Sequence, residues 1–310
     1  MPHSPLDLLD DLLDQDGAAT AAHRFVLGGP FGAEPTEDSS ERLAHFADAG
    51  GLLVETSHSY EGGRAEAAVG QWLRKNPGTL GVTTKIGHDT TGQDIPLSHE
   101  NVHAHVRASL GNLGVGVIDV LLYHCDDPAR PVTELADTLM SLVDAGHARR
   151  VGVSNWRAER LTSLAHEVAR RGHTLVASYQ FSLAEPDPAL LRGSLHADTA
   201  ILGVVREHRL PLLGWSSQAR GFFARTGTQQ VNGRPDPYDT EDNRARRRRC
   251  RELAEQLGTR PETVALAWTL HHPGIWPSIG PRTTEQIDRS LEARRLPLSG
   301  AQARWLQHGR

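Results

Sequence analysis

The stretch Val54-Glu55-Thr56-Ser57-His58-Ser59-Tyr60-Glu61-Gly62-Gly63-Arg64-Ala65-Glu66 has the pattern of a strand end, a short polar loop and a helix start. The apolar run 52–54 precedes the loop, and a segment of helical composition over residues 64–75 follows it. In α/β barrels, such loops place functional side chains at the carboxyl ends of the strands. Because the loop carries a carboxylate, an imidazole and a phenol, it is the first candidate for a catalytic segment.

The same pattern repeats along the chain. Apolar runs predict strands at residues 25–28, 52–55, 81–85, 118–123, 149–154, 175–179, 211–215 and 275–279. Helical periodicity predicts helices near 40–49, 64–75, 99–113, 132–146, 157–171, 200–209, 245–258, 262–272 and 284–294. Eight alternations predict a single α/β domain over residues 24–310, a closed (β/α)8 TIM barrel, with residues 1–23 as an N-terminal extension.

A doubly wound open sheet is the alternative fold. It would place a glycine-rich phosphate loop after the first strand, and Gly28-Gly29-Pro30-Phe31-Gly32 lacks the required spacing. Two longer segments, 181–199 and 217–244, follow the sixth and seventh strands and are rich in Pro, Gly, Asp and Arg. Long loops after barrel strands often cover ligands.

The composition limits the classes of function. The chain has 310 residues, a net charge of −5 and 38% hydrophobic residues, which suits one large globular domain and gives no reason to expect a nucleic-acid or membrane partner. No apolar run approaches membrane-spanning length, and the start lacks a signal-peptide pattern. Cys125 and Cys250 make no disulfide framework. We therefore expect a soluble, cytoplasmic protein, and its oligomeric state is open.

Three successive predicted strands end in groups suited to acid–base chemistry. Tyr60 follows the second strand, Lys85 ends the third and His124 follows the fourth. An ammonium beside a tyrosine favours the phenolate, and a carboxylate such as Glu55 would keep the lysine charged. Each residue alone is better explained as a buried tyrosine, a surface lysine or a core histidine. Together, at strand ends, they indicate one site that protonates a carbonyl oxygen.

Polar residues at the later strand ends suggest a place for a larger ligand. Ser154, Asn155 and Gln180 could bind an amide, and Trp215 offers a flat face for a ring. The alternative for Ser154 and Asn155 is a helix cap, and that for Trp215 is a place in the barrel core. The segment Pro277–Gln286 combines a Gly-Pro turn, a helix start and Arg282, which suits a phosphate. An ordinary turn with a solvated arginine explains the segment about equally well.

The ordered set of these motifs resembles the aldo-keto reductase family. Residues 55–61 match its Asp-Thr-Ala-x-x-Tyr-Gly motif, and the other matches are Thr84-Lys85, Asp119 with His124, Gly152 to Trp156, Leu266 to Leu270, and Gly280, Arg282 and Gln286. The match runs from about residue 25 to 293. Two positions depart from the family pattern: Glu55 replaces an aspartate, and Arg289-Ser290 replaces a Glu-Asn pair near the adenine.

The resemblance implies an NADP(H)-dependent enzyme that reduces an aldehyde or ketone. Tyr60 would be the general acid, Lys85 and Glu55 its partners, and His124 the oxyanion or relay group. The implied cofactor contacts are Ser154, Asn155, Gln180, Trp215, Ser216, Ser217, Gln218, Gly280, Arg282, Gln286 and Ser290. Phe31, His58 and Trp156 would shape the substrate pocket. The alternative is a cofactor-binding regulatory subunit with little turnover, as in the channel-associated β-subunits of the superfamily.

Two further patterns have weaker interpretations. His99-Glu100-Asn101-Val102-His103 matches the zinc-protease motif His-Glu-x-x-His. It lies on a predicted outer helix in a chain with 17 histidines, so a zinc hydrolase is a remote alternative and we expect no metal. The arginine-rich run 244–251 could bind nucleic acid, but nearby glutamates favour a solvated helix.

Overall fold

Eight parallel strands close into a barrel in the computed structural model, which describes residues 24–29, 31–32, 36–191, 193–227 and 235–310. Val26 on the first strand pairs with Leu53 on the second and with Ser278 on the last, and this double pairing closes the sheet. The strands are β1 (Val26–Leu27), β2 (Leu53–Glu55), β3 (Gly81–Ile86), β4 (Ile118–Tyr123), β5 (Ala148–Ser154), β6 (Val176–Gln180), β7 (Leu212–Trp215) and β8 (Ile275–Ile279).

The α-helices that the structure describes lie between the strands and after the last one. They are α1 (Glu37–Asp48), α2 (Ala65–Lys75), α3 (His99–Leu113), α4 (Val132–Asp144), α5 (Ala158–Ala169), α6 (Thr199–Glu207), α7 (Glu241–Leu257), α8 (Pro261–Leu270), α9 (Thr284–Leu291) and α10 (Gly300–His308). Thr36, Ser98 and Thr283 accept hydrogen bonds from backbone N–H groups of the first turns of α1, α3 and α9, as their positions before apolar-periodic runs predict.

The (β/α)8 prediction is confirmed, and the element bounds differ from it by at most four residues. Helix α10 was not predicted. Its signal is a capping box, because Ser299 and Gln302 exchange hydrogen bonds with each other's backbone N–H groups. Helix α7 begins at Glu241 rather than near 245, because Thr240 caps it. The predicted extension, residues 1–23, lies outside the described residues, as does 228–234 of the second long loop.

Two apolar layers hold the barrel. Alternate side chains of one strand point to opposite faces, so Val120 and Leu122 of β4 fill the interior with Trp276, whereas Leu121 and Tyr123 pack outward in the larger cluster beneath the helices. Burying each such side chain contributes about 1.5–3 kcal/mol. The strand ends that carry the polar residues are therefore fixed by rigid packing below them.

The arginine-rich helix α7 is not simply solvated. Arg246 and Arg247 are buried, and Arg246 Nη2 lies 2.6 Å from Glu185 Oε1 in the loop after β6. The prediction of a solvated helix face was therefore wrong for these two side chains: Arg246 ties α7 to the loop after β6, and Arg247 donates to the Gly227 carbonyl in the loop after β7 at 3.1 Å. Within the described ranges, no helix is both long enough and apolar enough to cross a bilayer.

Candidate active site

A cavity of about 1080 Å³ opens at the carboxyl ends of the strands. Its wall includes most of the residues predicted from the sequence: Phe31, Glu55, Tyr60, Lys85, His124, Ser154, Asn155, Trp215, Ser216, Gln218, Gly280, Arg282, Gln286 and Ser290. The residues lie up to 259 positions apart in the chain, from Phe31 to Ser290, and meet because parallel barrel strands end at one rim.

The buried lysine links two of the predicted catalytic groups. Lys85 is 2% exposed, and its Nζ lies 2.8 Å from Glu55 Oε1. The same Nζ donates at 3.4 Å to the Tyr60 hydroxyl and at 3.4 Å to the Thr56 carbonyl. Glu55 thus reaches the lysine despite its additional methylene. The ammonium is held between a carboxylate on one side and the phenol on the other.

The charge of Lys85 is maintained inside the barrel. Burial disfavours the ammonium, but Glu55 and then Tyr60 more than offset this cost, so the pKa of Lys85 is raised above its ordinary value. Glu55 Oε2 is buried and has no hydrogen-bond partner among the described residues, so the carboxylate depends on the lysine for compensation. A permanent positive charge beside the Tyr60 oxygen stabilises a phenolate there.

The conformation of the loop after β2 brings Tyr60 to the cavity mouth. Glu61 and Gly62 adopt left-handed backbone angles, with φ of 54° and 64°. Glycine takes this conformation without strain, so Gly62 suits the reversal that leads into α2. The Tyr60 ring is 38% exposed and meets His124 edge to face, with ring centroids 5.8 Å apart.

His124 is a neutral imidazole. Burial, followed by the positive charge of Lys85 and the neighbouring His88, lowers the pKa of His124 well below its ordinary value. Its Nδ1 lies 3.2 Å from Ser57 Oγ, which also lies 3.2 Å from the Lys85 carbonyl. The Ser57 hydroxyl has a single proton. If it donates to His124 Nδ1, the ring hydrogen lies on Nε2; if it donates to the Lys85 carbonyl, Nδ1 carries the hydrogen and donates to Ser57.

The predicted amide-binding residues divide into two groups. Ser154 and Asn155 line the cavity, and Asn155 Nδ2 donates to Ser154 Oγ at 3.0 Å. Gln180 is fully buried and does not line the cavity. Both ends of its amide are engaged, with Ser182 Oγ at 2.9 Å and His196 Nδ1 at 2.5 Å.

The last residue of β7 contributes an aromatic face, and the loop after it contributes two polar groups. Trp215 is partly exposed and lines the cavity with Ser216 and Gln218. Gln218 Nε2 donates to Ser290 Oγ at 3.1 Å, which joins this loop to α9. Ser217 does not line the cavity, because its hydroxyl donates to the Ser278 carbonyl at 2.8 Å inside the barrel rim.

The far end of the cavity carries the predicted phosphate segment. Gly280, Arg282, Gln286 and Ser290 all line it, at the start and along one side of α9. Gln286 Oε1 accepts from the Arg282 backbone N–H at 2.7 Å, so this N–H is already satisfied. The exposed Arg282 guanidinium makes no hydrogen bond or ion pair within the described part of the chain.

Two of the predicted pocket residues lie away from the cavity wall. His58 packs on His105, with ring centroids 4.3 Å apart, and its Nδ1 faces Glu66 Oε2 at 3.6 Å. Trp156 is fully buried, and its indole N–H donates to the Cys125 carbonyl at 3.2 Å. Neither side chain lines the cavity; only Phe31 of the three does.

Sequence reasoning missed three residues that contact the site. Ser57 and His88 flank His124, and His88 stacks on its ring with centroids 4.2 Å apart. Both follow predicted strands within three positions, so strand-end position was a usable signal. Tyr238 is buried, and burial raises the pKa of its hydroxyl to about 12, against the lowering effects of Arg220, Ser216 and Gln180. No periodicity in its loop pointed to it.

The zinc-protease motif forms no metal site in the described residues. The His99 and His103 rings lie 4.1 Å apart on outer helix α3, and His103 Nε2 lies 3.0 Å from Ser141 Oγ. The pair belongs to no cluster of three ligating side chains among these residues, whereas a zinc hydrolase needs three protein ligands.

Comparison with known proteins identifies relatives over most of the chain. A model of the aldo/keto reductase family matches residues 25–308. A norsolorinic acid reductase of Aspergillus flavus is 28% identical over 279 residues, covering 86% of this chain and 70% of its own length. A versiconal hemiacetal acetate reductase of Aspergillus parasiticus is 24% identical over 306 residues, covering 87% of this chain and 86% of its own length.

A solved structure shares the fold. The aldo-keto reductase from Klebsiella pneumoniae, in complex with NADPH, superposes with a TM-score of 0.69 at 22% sequence identity, covering 91% of this chain and 89% of that one.

Proposed function

This chain belongs to the aldo/keto reductase family, and we propose that it is an NADPH-dependent oxidoreductase that reduces an aldehyde or ketone to an alcohol, with Tyr60 as general acid. One observation carries the proposal. The buried ammonium of Lys85 lies between Glu55 Oε1 and the Tyr60 hydroxyl, and the phenol faces the cavity. This arrangement suits a proton donor whose conjugate base is stabilised by a fixed positive charge.

The cavity suits an extended dinucleotide. It runs from Tyr60 past the Trp215 face to Arg282, and its volume of about 1080 Å³ accommodates such a ligand. Gly29, with a φ of 124°, packs close to Gly280, so the backbone itself forms the wall there. Arg220 and Arg282 supply positive charge at the rim. When bound, NADPH would supply the hydride that reaches the carbonyl carbon.

The residues of this chain would perform the proton transfer. As the carbonyl oxygen gains negative charge, the Tyr60 O–H donates its proton to it, and Lys85 stabilises the phenolate that remains. Glu55 acts through Lys85, which it keeps charged and in place. The neutral His124 ring can donate a second hydrogen bond to the same oxygen when Ser57 donates to its Nδ1.

The relatives support a reduction of carbonyl groups. The names of two similar proteins describe reductases of norsolorinic acid and of versiconal hemiacetal acetate, and the similar Klebsiella pneumoniae structure contains NADPH. The carbonyl substrate of this chain is expected to be a small molecule. The two cysteines, both free, suit the reducing cytoplasm in which such a reductase would work.

The test is Tyr60→Phe, assayed by absorbance of the reduced nicotinamide with a panel of aldehydes and ketones. Removing the proton donor should lower turnover by roughly 10²-fold or more while NADPH binding, followed by fluorescence, is retained. Tyr123→Phe is the matched control, because that hydroxyl is buried against the Leu135 carbonyl and should leave turnover unchanged.

Two outcomes would contradict the proposal. If Tyr60→Phe retains wild-type turnover on every substrate that is reduced, Tyr60 is not the acid. If the wild type binds NADPH and reduces nothing across the panel, a cofactor-binding regulatory subunit becomes the better interpretation.

A further inference from the structure

A second cluster of ligating side chains lies beside the candidate active site. His88, Asp94 and Cys125 each offer one ligand atom, and these atoms all lie within 4.8 Å of one another. Among the residues that the structure describes, this is the only group of three histidine, cysteine or acidic side chains so arranged. The proton-transfer steps proposed above use none of the three.

The carboxylate of Asp94 already contacts one other member. Its Oδ1 lies 2.9 Å from His88 Nε2, and the Cys125 sulfur lies within 4.8 Å of both ligand atoms. In a tetrahedral zinc site, metal–ligand distances of 2.0–2.3 Å separate the ligand atoms by about 3.3–3.7 Å. Side-chain shifts of about 1 Å would therefore bring the three atoms around one ion.

The backbone holds the three ligands in place. His88 and Asp94 face each other across a tight hairpin, in which Asp89 N donates to the Gln93 carbonyl at 2.8 Å and Ile95 N donates to the Gly87 carbonyl at 2.9 Å. The Asp89 carboxylate closes the turn by accepting from two backbone N–H groups. Such a preformed arrangement lowers the entropy cost of binding an ion.

The cluster is open to solvent on one side and protected on the other. The Asp94 side chain is 74% exposed and that of His88 is 19% exposed. Cys125 is half-buried below them, where its sulfur lies 3.8 Å from the Gly87 carbonyl. An ion can thus enter from solvent. One nitrogen, one carboxylate oxygen and one sulfur are a ligand set that suits zinc and leaves a fourth position for water.

The cluster of His88, Asp94 and Cys125 also contacts the candidate active site. The His88 ring stacks on the His124 ring, with centroids 4.2 Å and planes 28° apart. We propose that His88, Asp94 and Cys125 bind Zn²⁺, with release of the thiol proton to solvent, and that the bound ion slows carbonyl reduction by fixing the His88 ring against His124. The binding stands on its own geometry, whereas the inhibition rests on the proposed function.

The binding is tested with Co²⁺ as a spectroscopic probe of the full-length reduced protein. Coordination by Cys125 should give a thiolate-to-cobalt charge-transfer band that Zn²⁺ removes by competition, and Cys125→Ser should abolish the band. Cys250→Ser, which alters the other cysteine, and the double variant His99→Gln/His103→Gln should retain it. The absence of a band, or its survival in Cys125→Ser, would overturn the site.

The link to His124 is tested with Asp94→Asn, which removes a ligand but no residue of the active site. This variant should bind Zn²⁺ at least about 10-fold more weakly and escape the inhibition seen in the wild type. Equal inhibition of both proteins would overturn the link. If the wild type shows no reductase activity, the proposed function fails while the cobalt spectra still decide the metal site.

Discussion

The charged side chains at the two ends of the cavity differ in burial and in pairing. At one end, Lys85 is paired with both Glu55 and Tyr60, and the ammonium is almost fully buried. At the other end, Arg220 and Arg282 are exposed, and in the described part of the protein their guanidinium groups make no hydrogen bond or ion pair.

This difference separates what folding requires from what a ligand requires. A buried charge without a partner costs several kcal/mol, so the acid–base end must be complete before any substrate arrives. An exposed arginine is solvated and costs the fold almost nothing, so it can remain unpaired until an anion binds. Mutations at the acid–base end should therefore lower the stability of the protein, whereas mutations at the arginine end should lower its affinity for the ligand.

The largest expected effect is that of Lys85→Met. Removing the ammonium leaves the Glu55 carboxylate buried and uncompensated, and we expect a loss of about 3–5 kcal/mol in the free energy of unfolding, together with loss of reduction. Denaturant unfolding measures the first quantity. The control is Lys75→Met, an exposed position at the end of α2, which should change stability little. A Lys85→Met protein as stable as the wild type would contradict the proposed difference between the two ends of the cavity.

The second effect concerns pH. Because the folded protein keeps His124 neutral while the unfolded chain binds a proton below about pH 6.5, stability should decrease as the pH falls through that value. His124→Gln removes this contribution, so its stability should fall less than that of the wild type between about pH 7 and pH 5. The exposed His173→Gln is the control. Parallel stability curves for wild type and His124→Gln would contradict the assignment.

The third effect concerns the arginine end of the cavity. Arg282→Ala should weaken NADPH binding by about tenfold and leave NADH binding nearly unchanged, because the charge-assisted hydrogen bonds to the 2′-phosphate are lost. Thermal stability should stay at the wild-type level. Arg295→Ala, an exposed arginine beyond α9 that does not line the cavity, provides the matched control. Equal weakening for both cofactors would count against a role for Arg282 in 2′-phosphate binding.

The smallest effect is that of Glu55→Asp. The carboxylate remains charged, and the Lys85 side chain can shift toward it, so turnover should stay within about threefold of the wild type. Glu55→Gln is the informative partner, since it removes the charge that raises the pKa of Lys85 and should reduce turnover much more. Steady-state kinetics with one carbonyl substrate compares the two; equal losses would show that length, not charge, matters here.

Particular elements explain why prediction succeeded in some places. Strand β4 and helix α3 were predicted with their observed bounds, because an unbroken apolar run and a capped periodic segment carry local signals. The placement of Tyr60, Lys85 and His124 at one rim followed from their positions at strand ends. His58 and Trp156 also lie near strand ends, yet neither lines the cavity, because they pack on partners such as His105 and the Cys125 carbonyl.

The sequence by itself determined the order of strands and helices, the closed barrel and the residue types available at its rim, because periodicity and strand-end position are local properties. Only the tertiary structure decided which of those residues meet: the reach of Glu55 to Lys85, the engagement of Gln180 by Ser182 and His196, and the stacking of His88 on His124. Except for the contact of Gln180 with Ser182, these contacts join residues at least 16 positions apart in the chain, and their distances depend on how the whole barrel packs.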